Sequence, residues 1–180
     1  MRGDDWVQTY TGRRFWPSDP DPAEIDIVDI AHALSMQCRF GGHCRRFYSV
    51  AEHSVLLSSA VRPKDQRWAL MHDAAEAYLV DLPRPVKRQM PAYRAMEDAI
   101  LRAIAVRFGL DGPIPDAVHE ADTRLLAEER NQIMVRCEAD WPGLRGVVPL
   151  GGMIVGWLPG EARSRFLRAF MELFPVGAAA

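Results

Sequence analysis

Apolar residues recur along most of this chain at the three- and four-residue spacing of amphipathic helices. Asp26 precedes the stripe Ile27, Ile30, Ala31 and Leu34, which predicts a capped helix that stops before Gly41-Gly42. Ser49, with Glu52 three residues on as its capping-box partner, opens a second helix built on Val50, Leu57 and Val61. A third is expected to begin near Asp65, behind Arg62-Pro63, and to run unbroken to about Val80. Met96, Ile100, Ala103 and Ile104 predict a helix over 93–108 ended by Gly109. Val118, Ala121, Leu125, Leu126, Ile133 and Met134 predict another over 116–139, and Phe166, Ala169, Phe170 and Leu173 a last one over 161–174. Between these, 9–16 reads as a short strand pair turning at Gly12, and Ser18 to Pro22 as an extended or turning connector. Pro83 and Pro85 argue against helix over 81–87. The Gly- and Pro-rich stretch 141–159 reads as a loop or small hairpin. The expected fold is therefore all-α, a single domain over 1–180 with about six helices and minor strand.

Composition narrows the partners. Hydrophobic residues make up 48% of 180, enough for one buried core, and Lys+Arg 22 against Asp+Glu 24 leaves a net charge of −2. Such a balance gives no basic field to recruit nucleic acid, so a small molecule is the expected partner. The N-terminus lacks the apolar core of a signal peptide, and no run of about 18 apolar residues could span a bilayer. A cytoplasmic protein is expected. Cys38, Cys44 and Cys137 are an odd number without a CxxC, which points to reduced thiols.

Five polar residues fall on faces that should be apolar. In Ala69-Leu-Met-His-Asp-Ala-Ala-Glu76 a continuous helix would project His72, Asp73 and Glu76 into one sector among small apolar residues. His53 sits beside the stripe of its own helix, and Asp122 lies between Ala121 and Leu125. Buried ionised carboxylates cost several kcal/mol unless a cation compensates them. Two imidazoles and two carboxylates form a mixed nitrogen and oxygen set suited to Mn, Fe, Co, Ni or Zn, and less natural for calcium. Four such ligands would leave an octahedral ion two positions for water and a substrate oxygen, the arrangement for metal-assisted hydrolysis. Arg124, Glu128, Glu129 and Arg130 are at the spacing of an exposed charged face.

The flanking segments offer further chemistry. Arg39 to Phe47 holds three arginines, His43 and Gly41-Gly42, a loop suited either to phosphate oxygens or to plain solvation. A structural zinc site from Cys38, His43, Cys44 and His53 fits none of the usual closed spacings. Asp81 is either a carboxylate overlooking the site or a turn acid, and Arg84, Lys87 and Arg88 either phosphate contacts or surface charge. Trp6, Phe15, Trp16 and Phe40 are candidates for base stacking, although aromatics near a terminus more often pack in a core or subunit interface.

At these residues the chain resembles the HD-domain phosphohydrolase superfamily, whose H…HD…D pattern is met by His53, His72-Asp73 and Asp122. Ala51-Glu-His-Ser54, His72-Asp-Ala-Ala-Glu76, Asp81-Leu-Pro-Arg-Pro-Val-Lys87 and Glu120-Ala-Asp122 are similar to the bacterial 5′-deoxynucleotidase branch and its small phage relatives, over about 39–126. The resemblance implies an HD-domain bundle in which these four ligands bind one divalent metal ion, whether Mn, Co, Fe, Ni, Zn or Mg. It implies that Glu76 positions or deprotonates the attacking water, and that Asp81 serves as acid/base or sugar contact. It further implies that Arg39 meets phosphate, with His43 and Lys87 as additional substrate contacts. Two-metal members carry extra histidines between the HD pair and the last Asp; only His119 occupies that interval here, so one ion is expected. The implied activity is a metal-dependent nucleotide phosphohydrolase, a deoxynucleotidase, working as a homo-oligomer. The alternatives are a purine-preferring deoxynucleoside triphosphate triphosphohydrolase and, from another class, a non-catalytic nucleotide-sensing or structural-metal module.

Overall fold

The computed structural model describes residues 2–175. Two short strands, β1 (Val7–Gln8) and β2 (Arg14–Phe15), pair antiparallel around the turn at Gly12. Eight α-helices follow among the described residues: α1 (Ile27–Met36), α2 (Val50–Ala60), α3 (Gln66–Met71), α4 (Glu76–Leu79), α5 (Arg84–Lys87), α6 (Pro91–Phe108), α7 (Asp116–Ile133) and α8 (Pro159–Leu173). The fold is an all-α bundle. No helix among the described residues is long and apolar enough to cross a membrane.

The bundle closes around α2, which packs against α1, α3, α7 and α8. Val50, Ala51, Leu57 and even Ser54 are buried, so this helix is enclosed on most sides rather than along one stripe. Ile30 and Leu34 of α1, Leu70 and Met71 of α3, Ile100 and Ile104 of α6 and Phe166 of α8 complete the core with no exposed surface. Each such side chain contributes about 1.5–3 kcal/mol.

Local chemistry sets the helix ends. Asp26 accepts from the Val28 N–H at 2.9 Å, and Ser49 Oγ accepts from the Glu52 N–H at 3.1 Å, both as the caps predict. The return half of the second box is absent. The Glu52 carboxylate instead accepts the backbone N–H groups of Val155, Gly156 and Trp157 at 3.1, 2.9 and 2.6 Å, and so fixes the C-terminal stretch against α2. Gly156 suits that junction because a Cβ there would lie 2.8 Å from the Phe47 carbonyl oxygen. This stretch contains no hairpin.

Three other expectations change. α7 stops at Ile133 rather than near 139, because the Arg45 backbone N–H takes the Ile133 carbonyl and its guanidinium takes that of Gln132, each at 2.8 Å. Pro85 does not prevent a helix: it occupies the first turn of α5, where its missing N–H is not needed. The expected continuous helix over 65–80 divides into α3 and α4, with His72 to Ala75 forming the turn between them.

Candidate metal centre

His53 lies on α2 with its imidazole fully buried. Its Nδ1 is 2.7 Å from Glu129 Oε1, so Nδ1 carries the proton and donates to that carboxylate. The His72 Nδ1 is 2.8 Å from the Ala69 carbonyl oxygen, which fixes the same tautomer there. With both imidazoles neutral the two Nε2 atoms therefore present lone pairs, and they face each other at 3.2 Å. Asp122 Oδ1 is 3.3 Å from His53 Nε2, while Asp73 Oδ2 is 3.2 Å from His72 Nε2 and 3.7 Å from His53 Nε2. Nitrogen and oxygen donors from four side chains thus meet around the two imidazoles, a set whose chemistry suits a cation.

The separations fit one. Metal–nitrogen and metal–oxygen bonds of about 2.0–2.2 Å put adjacent ligands roughly 2.8–3.1 Å apart in an octahedron and roughly 3.3–3.6 Å apart in a tetrahedron. Donor atoms of His53, His72 and Asp122 all lie within 4.8 Å of one another; Asp73 flanks that triad, against both imidazoles. The cluster draws positive charge even as a bare protein. Burial and Arg39 oppose protonation of His53, but Glu129 and Asp122 outweigh them and push its pKa up to about 9. Burial of Asp73 and Asp122 is likewise outweighed by the imidazoles, which hold both carboxyls well below the usual range.

The turn between α3 and α4 supplies two of these donors. Ala74 N–H bonds to Met71 O and Glu76 N–H to Asp73 O, both at 3.0 Å, the three-residue spacing of a tightened helix. The His72 imidazole is engaged with the Ala69 carbonyl, which an uninterrupted α-helix would give to the Asp73 N–H. With three residues per turn, Asp73 and Glu76 stack on one edge. Glu76 is buried, its Oε1 accepts from Lys87 Nζ at 3.3 Å, and its Oε2 has no partner in the protein. Burial, Asp73 and Asp81 together push this carboxyl well above the usual range, with Lys87 and Arg39 opposing.

Asp81 follows an unusual corner. Val80 has φ 81, and Phe40, which follows Arg39, has φ 58; these are the two non-glycine residues of positive φ among those described. Each conformation costs on the order of 1–3 kcal/mol, and each adjoins a charged residue of the site. Gln37 braces the first: its Nε2 donates to the Glu76 carbonyl at 3.0 Å and its Oε1 accepts from the Asp81 N–H at 2.9 Å. The Tyr93 hydroxyl donates to the Val80 carbonyl. Burial and Asp73 raise the Asp81 carboxyl, against Arg39 and Lys87.

No protein-family model matches the chain. It is 39% identical over 170 residues to YfdR of Escherichia coli K12, covering 93% of this chain and 95% of that protein. The chain belongs to the YfdR family. RCAP_rcc00048 of Rhodobacter capsulatus is 37% identical over 149 residues, covering 75% of this chain and 76% of its own length. Both relatives are described as uncharacterized, so the chemistry of a YfdR-family site must be read from its side chains.

Of the remaining sequence expectations, Arg39 reaches the cluster and His43 does not. Arg39 is buried, with Nη2 3.2 Å from Glu129 Oε2 and Nη1 3.5 Å from Asp73 Oδ2. His43 is exposed and its imidazole makes no hydrogen bond to the cluster. Lys87 bridges Glu76 to Glu97, at 3.3 and 2.6 Å. Arg84 donates to Asp122 Oδ2 at 2.8 Å, which makes it a site residue rather than plain surface charge. Phe15 is core and stacks on Tyr78, while Trp6 and Trp16 stack with Arg14 and Arg2. Glu128 and Glu129 are buried, not exposed. Glu129 is the residue the charge pattern concealed; its position seven residues after Asp122 on one helix puts both on the same face.

Proposed function

We propose that this protein is a divalent-metal-dependent nucleotide phosphohydrolase of the HD type, acting on deoxynucleotides. The observation that carries the reading is the facing pair of tautomer-fixed imidazole nitrogens, 3.2 Å apart, with Asp122 3.3 Å from His53 and Asp73 3.2 and 3.7 Å from His72 and His53. His53, His72, Asp73 and Asp122 would hold the ion. When bound, it would acidify a water molecule and polarise a phosphoryl oxygen. Glu76, whose Oε2 is buried and unpartnered, accepts the proton of the attacking water. Its raised pKa reflects burial first and then the neighbouring carboxylates of Asp73 and Asp81. Arg39 binds the phosphoryl oxygens through its guanidinium, and Lys87 orients Glu76. Asp81, held by Gln37 at the Val80 corner, faces the leaving group or sugar.

Beyond Arg39, Arg84 and Lys87 bring two further cations against the acidic groups. Three cations at one site suit a longer phosphate chain, which supports the second reading, release of triphosphate from a deoxynucleoside triphosphate. A panel of deoxynucleoside mono-, di- and triphosphates with Mn or Co, repeated with chelator, tests both. Metal-dependent phosphate release from a monophosphate supports the first, intact triphosphate from a triphosphate the second. No turnover of any member in the presence of metal contradicts both and favours a sensing module.

A further inference from the structure

We infer that Glu129 is the positioning residue that joins the metal-binding arm of the site to its phosphate-binding arm. This rests on the reading proposed above. Glu129 has no exposed surface and divides its carboxylate between two close donors, with the buried Tyr48 hydroxyl beside them: Oε1 holds the His53 Nδ1–H at 2.7 Å, and Oε2 holds Arg39 Nη2 at 3.2 Å. The first contact fixes the tautomer that turns the His53 Nε2 lone pair toward His72 and the two aspartates. The second fixes one end of the guanidinium and leaves the rest available. Arg39 Nη1 lies a long 3.5 Å from Asp73, and its Nε is buried without a partner. An arginine held this way has donors to offer an oxyanion without having to be reoriented first. Sharing one rigid carboxylate, the two arms keep a constant mutual placement, with Asp122 two turns away on the same helix.

The chemistry of the carboxylate allows a sharp test. Both partners of Glu129 are donors, and a carboxylate accepts from both. The isosteric amide of Glu129→Gln has one acceptor and one donor group, so it can satisfy one arm only. If its oxygen faces His53, Arg39 meets an NH2 group and swings away. If its oxygen faces Arg39, His53 must move its proton to Nε2 and loses the lone pair it would give to a metal.

The experiment compares wild type, Glu129→Gln and Glu129→Ala, with circular dichroism as a check on folding. Chelator-treated protein is titrated calorimetrically with Co2+ or Mn2+, and the loaded protein with inorganic phosphate. Glu129→Ala is expected to weaken metal binding by about 10–100-fold, with loss of phosphate affinity. Glu129→Gln is expected to lose one of the two and largely keep the other. Wild-type affinity for both ligands in Glu129→Gln overturns the inference, and that variant carries the test if the alanine form does not fold. Imidazole proton spectra of the metal-free proteins give a readout independent of metal: a downfield, exchange-protected Nδ1 proton of His53 in wild type, shifted in both variants. Its absence from wild type overturns the Glu129 role whether or not metal binds. Failure of wild type to bind either metal, with that proton present, counts instead against the phosphohydrolase reading.

Discussion

Glu76 is buried beside Asp73 and Asp81, with one oxygen unpartnered and the other on Lys87. If its task is to accept a proton from water, Glu76→Gln keeps the shape and removes the basicity. The expected result is unchanged metal affinity with turnover lowered by about 10²–10⁴-fold; equal turnover would remove Glu76 from the chemistry. The residues of this site differ in how openly the sequence declared them. Asp122, alone among Val118, Ala121, Leu125 and Leu126, contradicts its own stripe, and buried unpaired carboxylates are rare enough to make that contradiction informative. Glu129 stands next to Glu128 and Arg130 and so looks like one member of a solvated face. Only the arrival of His53 and Arg39 from distant segments makes it interior, and helical spacing within α7 does not report that. Gln37 was silent for a similar reason, since its partners, Glu76 and Asp81, lie far along the chain.

At the scale of elements, the decisive feature is the break between α3 and α4. Periodicity over 65–80 is compatible with one helix, and nothing in Ala-Leu-Met-His-Asp-Ala-Ala-Glu announces the change to three-residue hydrogen bonding. The change follows from the His72 imidazole engaging the Ala69 carbonyl within its own turn, a choice between hydrogen-bond partners that composition does not encode. The long elements were more legible, because α6, α7 and α8 have clear apolar stripes and α6 ends at Gly109 as expected. The corner after α4 supplies a prediction of its own. Gln37→Ala removes the brace on both sides of Val80 and leaves the metal ligands in place. It should lower turnover while metal affinity stays at the wild-type value, and should cost about 1–3 kcal/mol of stability in urea denaturation because the groups it paired are partly buried. A parallel loss of metal binding would mean that the corner supports the ligands rather than Asp81.

For the molecule as a whole, the proposed metal ligands come from α2, the α3–α4 turn and α7, elements otherwise joined through the core and loops. An ion bound by all of them binds the native state and not the unfolded chain. At a concentration about 100-fold above its dissociation constant it adds about 2.7 kcal/mol. For a chain of this length the expected rise in melting temperature is about 5–10 °C on adding Mn2+ or Co2+, reversed by chelator. The rise should vanish in His72→Ala; a rise that persists there would mean that the ion binds elsewhere. The most direct measurement of the central claim is the metal content of protein purified without chelator, taken by plasma mass spectrometry for wild type and for the double variant His72→Ala, Asp73→Ala. The account predicts a stoichiometric divalent ion in the wild type and its loss in the double variant. A wild type without a stoichiometric metal, under conditions where divalent ions are supplied, would contradict it.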